Sequence, residues 1–121
     1  MTISAQDHVD IERLMYQYAR CADRKDYAGF ANVFCEDAVF NYMGNDITPC
    51  SSIQEMMHSL EDFTCTQHQV HNVLFEVSRD EASGEVYCIA THLFTNEDAP
   101  MKLDMGIRYE DILKRTSKGW R

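Results

Sequence analysis

The 121-residue sequence predicts an α+β domain in which about three N-terminal helices cover one face of a single, mostly antiparallel sheet. Three observations carry that prediction. Apolar residues recur at helical spacing in the first part of the chain. From His68 onward the chain becomes rich in Val, Ile, Phe, Tyr and Thr. Two such runs flank the polar, glycine-containing stretch Ser78 to Gly84, so they pair as a hairpin.

Taken in order, residues from about Ser4 to Ala22 form an amphipathic helix. Its stripe is Ile11, Leu14, Met15, Tyr18, Ala19 and Ala22, and Ser4 and Asp7 are its start signals. Asp26 caps a second, shorter helix through Phe30, Val33 and Phe34. Short strands follow at 38–42 and 46–48. A third helix starts at Ser51 or Ser52, with Glu55 completing a capping box on Ser52, and runs through Met56, Met57 and Leu60. The hairpin strands span 68–77 and 85–95, and another strand spans about 105–115. Trp120 reads as the start of one more. No repeat, linker or low-complexity segment divides the chain, so residues 1–121 are one domain.

The bulk chemistry narrows the partners. A formal charge of -9 argues against nucleic acid and anionic membrane surfaces. No apolar run approaches the roughly 20 residues that span a bilayer. With 45% hydrophobic residues the chain can bury a core, and a small, hydrophobic ligand suits it better than a charged polymer. The five cysteines are odd in number, form no CxxC pair and follow no secretory signal, so reduced thiols in a cytoplasmic protein are expected. No Cys or His pair has structural-zinc spacing, so no metal is expected.

The candidate chemistry lies in Asp23, at the end of the first helix, and in His68 and His92 on the hairpin strands. An aspartate that orients one imidazole, with a second imidazole nearby, can move a proton without metal or organic cofactor. Each residue has a structural alternative. Asp23 can terminate its helix and pair with Arg24 or Lys25, and His92 can be a satisfied core histidine. Both faces of the His92 strand are largely apolar, which implies cover on both sides. Tyr18 and Tyr42 are expected to be buried, and a buried hydroxyl wants a partner. His8 and His58 read as solvated. Cys88 can line a pocket but has nothing near it to activate a thiolate.

The stretches "IERLMYQYARCADRKDYAGFANVFCEDAVF" and "TQHQVHNVLFEVSRDEASGEVYCIATHLF" resemble SnoaL-like proteins of the nuclear transport factor 2-like superfamily over nearly the whole chain. That resemblance implies a cone, a curved sheet closed by helices around an apolar pocket. It also implies, as in scytalone dehydratase, a catalytic set of Asp23, His68 in "TQH", His92 in "ATH" and Tyr42 in "VFNY". Bile acid 7α-dehydratase is similar around "YARCAD", which adds Tyr18 and makes His71 a rival to His68. Hexachlorocyclohexane dehydrochlorinase is similar in pairing the aspartate with a histidine followed four positions later by an asparagine, as in His68 and Asn72. Strand alternation places residues 68, 70 and 72 on one face and 71 on the other unless a bulge intervenes, which favours His68. Val70, Asn72, Cys88, Ala90 and Phe40 would line the pocket. In these families the last strand continues past the Lys-Gly-Trp step, so this chain reads as truncated there.

The implied activity is a cofactor-independent elimination of the dehydratase type on a small, hydrophobic, cyclic or polycyclic hydroxy-carbonyl compound. Dehydrochlorination, isomerisation and polyketide ring closure use the same dyad. A non-catalytic ligand-binding module, or a relative of the small subunit of ring-hydroxylating oxygenases, is the alternative from another class. The related dehydratases imply a homo-oligomer, with a trimer favoured.

Overall fold

The computed structural model describes residues 3–121. Helix α1 runs from Ala5 to Arg24, opened by Ser4, whose hydroxyl accepts the Asp7 N–H at 3.0 Å. Its buried stripe includes Ile11, Leu14, Met15, Ala19 and Ala22, as the periodicity predicts. The helix stops where Lys25 turns left-handed at φ 54° and donates its N–H to Ala22 and Cys21 carbonyls. That is two residues later than the apolar stripe suggests. Asp23 therefore sits inside the last turn, held in place by the helix rather than by a loop.

The expected second helix is a single 3-10 segment, Ala28–Asn32, with the Asp26 carboxylate accepting the Gly29 N–H at 3.1 Å. It drives Phe30 into the core at 0% exposure. Strands β1 (Phe40–Tyr42) and β2 (Asn45–Ile47) form a separate hairpin, turned by Met43 and Gly44 at φ 51° and 81°. Helix α2 (Cys50–Met57) starts before Ser51, and no side chain caps it. The expected Ser52–Glu55 box does not form, because Ser52 already lies within the first turn and gives its N–H to the Pro49 carbonyl at 2.9 Å. A second 3-10 segment, His58–Asp62, buries Leu60 and leads into the sheet.

The main sheet has the order β3 (Cys65–Ser78), β4 (Glu81–Asn96), β5 (Ala99–Thr116) and β6 (Gly119–Trp120), antiparallel throughout. The β3–β4 turn is only Arg79 and Asp80, not the seven-residue loop predicted. The polar residues Glu81, Ser83 and Glu85 are outward-facing strand positions that alternate with buried Ala82 and Val86. Glu97 and Asp98, both at positive φ, make an equally tight second turn and let β5 begin well before residue 105. A bulge interrupts β3: Val70 faces Cys88 and Val73 faces Val86, so His71 and Asn72 together oppose Tyr87. The sheet curves around α1, giving the cone of the predicted α+β class.

One face of the sheet meets α1 and holds the core, with Phe75, Val77, Ala82, Val86 and Leu113 among its members. The other face is open. Tyr87, Ile89 and Leu93 are each exposed by about two fifths, so the expectation that β4 is covered on both sides does not hold within one chain. Among the described residues, no helix is long and apolar enough to cross a membrane.

The two chain ends are tied together at Asp7. Its carboxylate accepts Arg115 Nη1 at 2.8 Å and Trp120 Nε1 at 3.0 Å, and the guanidinium lies 4.4 Å from the Trp120 ring centre. The Arg115 bond, then Trp120 and Ser4, hold the Asp7 carboxyl down at about 2. An unfolded aspartate titrates near 4, so this contribution is present above about pH 4 and is lost as pH falls toward 2. Asp7→Asn is expected to lower the melting temperature at neutral pH and to flatten its fall between about pH 4 and 2. Thermal melts across that range check it.

Candidate active site

The last turn of α1 delivers Asp23 onto the inner face of β3. One carboxylate oxygen, Oδ1, lies 2.7 Å from His68 Nδ1, and the His68 side chain is only 7% exposed. The same carboxylate accepts the His68 backbone N–H, at 3.2 Å on Oδ1 and 3.0 Å on Oδ2, and the Thr66 hydroxyl at 3.0 Å. An ionised carboxylate has only acceptors, so His68 Nδ1 must carry the proton and Nε2 is left with a free lone pair. The neighbouring cations do not compete: Lys25 Nζ donates to the Phe63 carbonyl at 2.9 Å instead.

His92 stands beside the dyad. Its ring centre is 6.1 Å from that of His68, at an interplanar angle of 69°. It is 6% exposed, its ring centre lies 4.6 Å from that of Phe63, and it buries Nδ1 without a hydrogen-bond partner among the described residues. Buried polar nitrogens are nearly always satisfied. Beside an oriented imidazole, such a nitrogen offers a hydrogen-bonding position to a polar group.

Tyr18, four residues before Ala22 on α1, packs edge-on with its ring centre 6.2 Å from that of His68 and 5.7 Å from that of Tyr109. Burial, reinforced by the Tyr109 hydroxyl, holds the Tyr18 phenol well above its usual range, and burial lifts Tyr109 to about 12. Both hydroxyls therefore stay protonated and can donate. Cys88 is buried and its thiol is pushed up by that burial, which keeps it neutral and unreactive.

The residues expected to line the pocket divide. Val70 faces inward opposite Cys88, and Ala90, fully buried, lies opposite His68. Phe40 reaches the site through other rings, 6.1 Å from Phe34, which is 6.1 Å from Tyr18. Tyr42 does not join them. It is 47% exposed, because it immediately precedes the Met43–Gly44 turn and rides at the hairpin tip. Asn72 and His71 are also exposed, since the bulge carries both off the inner face. His68 alone of the pair at 68 and 71 meets Asp23.

Thr66 is the residue that sequence reasoning missed, although alternation places it two residues from His68 on the same face. It is buried, and its hydroxyl is one of the donors that fix Asp23. Thr66→Val keeps the shape and removes that donor. It is expected to cost about 1–3 kcal/mol of stability, with Thr66→Ser restoring most of it, as read by urea unfolding. Tyr109 and Asp111 were missed as well: the expected 105–115 strand contains both, but its sequence does not say which face turns inward.

Comparison with known proteins agrees with the fold. Residues 4–121 match the family model described as a SnoaL-like domain. The uncharacterized protein Rv2910c of Mycobacterium tuberculosis is 29% identical over 118 residues, 95% of this chain and 80% of that protein. The crystal structure of the Kfla4162 protein from Kribbella flavida superposes with a TM-score of 0.88 at 21% identity, covering 96% of this chain and 85% of that one. A Novosphingobium aromaticivorans chain described as "Putative Scytalone Dehydratase" gives 0.85 at 23% identity, covering 95% and 78%. At these identities the two structures establish a shared fold.

Proposed function

We propose that this chain, which belongs to the SnoaL-like domain family, is a cofactor-independent lyase that removes water from a small, hydrophobic hydroxy-carbonyl compound. The observation that carries the reading is the 2.7 Å contact between Asp23 Oδ1 and His68 Nδ1. In the forward step His68 Nε2 takes the proton on the carbon next to the carbonyl. The C–H electron pair moves to the carbonyl oxygen, where Tyr18 O–H donates a hydrogen bond to the growing negative charge. The enolate then collapses to a C=C bond and the C–O bond to the leaving group breaks, while the departing hydroxyl, held by a hydrogen bond from His92, takes up the proton that His68 removed and leaves as water. His68 and His92 both end as they began, so the cycle needs no further proton. Dehydrochlorination, isomerisation and ring closure share the first step and differ in what the enolate does next.

The test is a screen of mono- and polycyclic β-hydroxy ketones, followed by the ultraviolet absorption of the conjugated product. Wild type is expected to form product faster than His68→Ala on at least one scaffold. Equal rates across the panel would remove the dyad from the reaction.

We further infer that copies of the chain associate through the open sheet face, with three as the favoured number and the cytoplasm as the setting. Tyr87, Ile89 and Leu93, exposed on that face, support the association; the number three comes from the family resemblance alone, and the cytoplasm from the count and spacing of the cysteines. Light scattering on wild type and on Ile89→Lys distinguishes it: the variant should run as a monomer, and a monomeric wild type would contradict the inference.

A further inference from the structure

The inner face of the main sheet changes character in one step from β4 to β5. His92 lies directly opposite Leu103, Ala90 opposite Met105, and Phe94 opposite Met101, while His68 faces Ala90 from the other side. Residues paired in this way project to the same face with their side chains adjacent. Ala90 and His92 are 0% and 6% exposed, yet their β5 partners Met105 and Leu103 are 37% and 45% exposed, and Met101 is 41% exposed. An apolar shelf that is open to solvent therefore begins one strand spacing, about 4.8 Å, from His92. Phe63 and Phe94 border it at one end: the Phe63 ring centre is 4.6 Å from that of His92 and 6.0 Å from that of Phe94.

The polar groups lie on the other side. Asp23, Thr66, His68 and His92 come from α1, β3 and β4, whereas the inner row of β5 runs Met101, Leu103, Met105 and Ile107 and offers only hydrocarbon and thioether. An exposed apolar patch marks a binding surface when it is contiguous with a polar site. Here the polar neighbour is His92, whose buried Nδ1 has no hydrogen-bond partner among the described residues. That contiguity points to an occupant small enough to reach the imidazole and lie on the shelf at once. The two methionines are flexible and can fit rings of different outline.

We propose that Met101, Leu103 and Met105 are specificity-determining residues that seat the hydrocarbon part of the substrate, so that the substrate carries its oxygen functions at one end and an unsubstituted ring or chain at the other. A molecule oxygenated at both ends would set its far hydroxyl against the shelf without a partner and lose affinity. The proposal rests on the reading that a carbonyl compound lies against His68 and His92, but not on turnover.

The experiment compares three ketones that share one end: acetophenone, 2-acetonaphthone and 6-hydroxy-2-acetonaphthone. Binding is followed by the methionine methyl and histidine ring resonances of the protein. 2-Acetonaphthone should move the methyl signals of Met101 and Met105 together with the ring signals of His68 and His92. It should bind at least about fivefold more tightly than acetophenone, because its second ring leaves water. The 6-hydroxyl should take away most of that gain. Changing Leu103→Ser and Met105→Ser together should bring the two unsubstituted ketones within about twofold of each other while leaving acetophenone itself little changed. Both side chains are partly exposed, circular dichroism shows whether the variant is folded, and the ranking in wild type needs no variant. A fivefold preference that survives in the folded variant overturns the proposal, as does a 6-hydroxyl without effect. So do Met101 and Met105 signals that move on dilution of the protein but with none of the ketones, which would put a second copy on the shelf. A protein that ranks the ketones as expected yet exchanges no α-proton would contradict the lyase reading and leave this one standing. Exchange with a ranking indifferent to the shelf would do the reverse.

Discussion

Asp23→Asn is expected to slow elimination by about 10²–10⁴-fold, an effect of the size assigned to a well-placed base. The variant keeps the side-chain volume, and its amide oxygen can still accept from the His68 backbone; Thr66 shares Oδ1 with His68 Nδ1, so it keeps an acceptor only when the amide oxygen takes that position. What changes is the group facing His68 Nδ1. An amide N–H placed there forces the imidazole to accept at Nδ1 and carry its proton on Nε2, so the base disappears while the ring stays put. With the amide oxygen there instead, the tautomer survives but the charge that stabilises the imidazolium is lost. Either way kcat should fall much more than KM rises. The melting temperature should drop by only a few degrees, because Asp23 remains partly exposed at 25% of its side-chain surface. Combining it with His68→Ala should cost little beyond His68→Ala alone, since the two act as one unit. Steady-state kinetics on a substrate from the screen, with a melt of each variant, measure all of this.

Phe30→Ala should produce the largest loss of stability of any single truncation in the core, about 3–5 kcal/mol. Phe30 is wholly enclosed, with its ring centre 5.8 Å from that of Tyr18 and 6.2 Å from that of Phe34. The residue sits in a tight 3-10 segment whose backbone is also used by its neighbours: the Phe30 carbonyl accepts the N–H groups of Val33 and Phe34. That backbone cannot easily collapse into the space left behind. Domains of this size are typically stable by only about 5–15 kcal/mol, so the variant should lose much of its margin in urea. Because the cavity would open beneath Tyr18, its hydroxyl should also lose its fixed direction. A loss below about 1 kcal/mol would mean that Tyr18 and Phe34 close the gap, and that the aromatic floor of the site is softer than the packing suggests.

The helical stripe of α1 and the β-rich texture after His68 were legible because each depends on local periodicity, 3.6 residues in one case and two in the other. The first contact of the site followed from them only with the help of the family resemblance: nothing in the spacing of residues 23 and 68 says that they meet. What stayed hidden was set by backbone geometry. Polar strand residues such as Glu81 and Ser83 look like loop until alternation with Ala82 is recognised, which hid a two-residue turn. The positive φ of Glu97 and Asp98 hid another, and with it the true start of β5. The bulge after Val70 reversed the expectation for Asn72, and a turn one residue away moved Tyr42 out of the site. The Ser52–Glu55 pair had a capping-box sequence but lies three residues past the N-cap position, Pro49, and cannot use it.

The central claim is that His68, oriented by Asp23, removes a proton from carbon next to a carbonyl. It is tested most directly by exchange rather than by product. A panel of cyclic β-hydroxy ketones is incubated with the protein in deuterium oxide, and loss of the α-proton signal is followed by proton NMR. Wild type should exchange one α-proton of its substrate well above the buffer rate, whether or not water is then lost, and Asp23→Asn and His68→Ala should fall to near that rate. Exchange that proceeds equally in wild type and His68→Ala, or in no member of the panel, would contradict it.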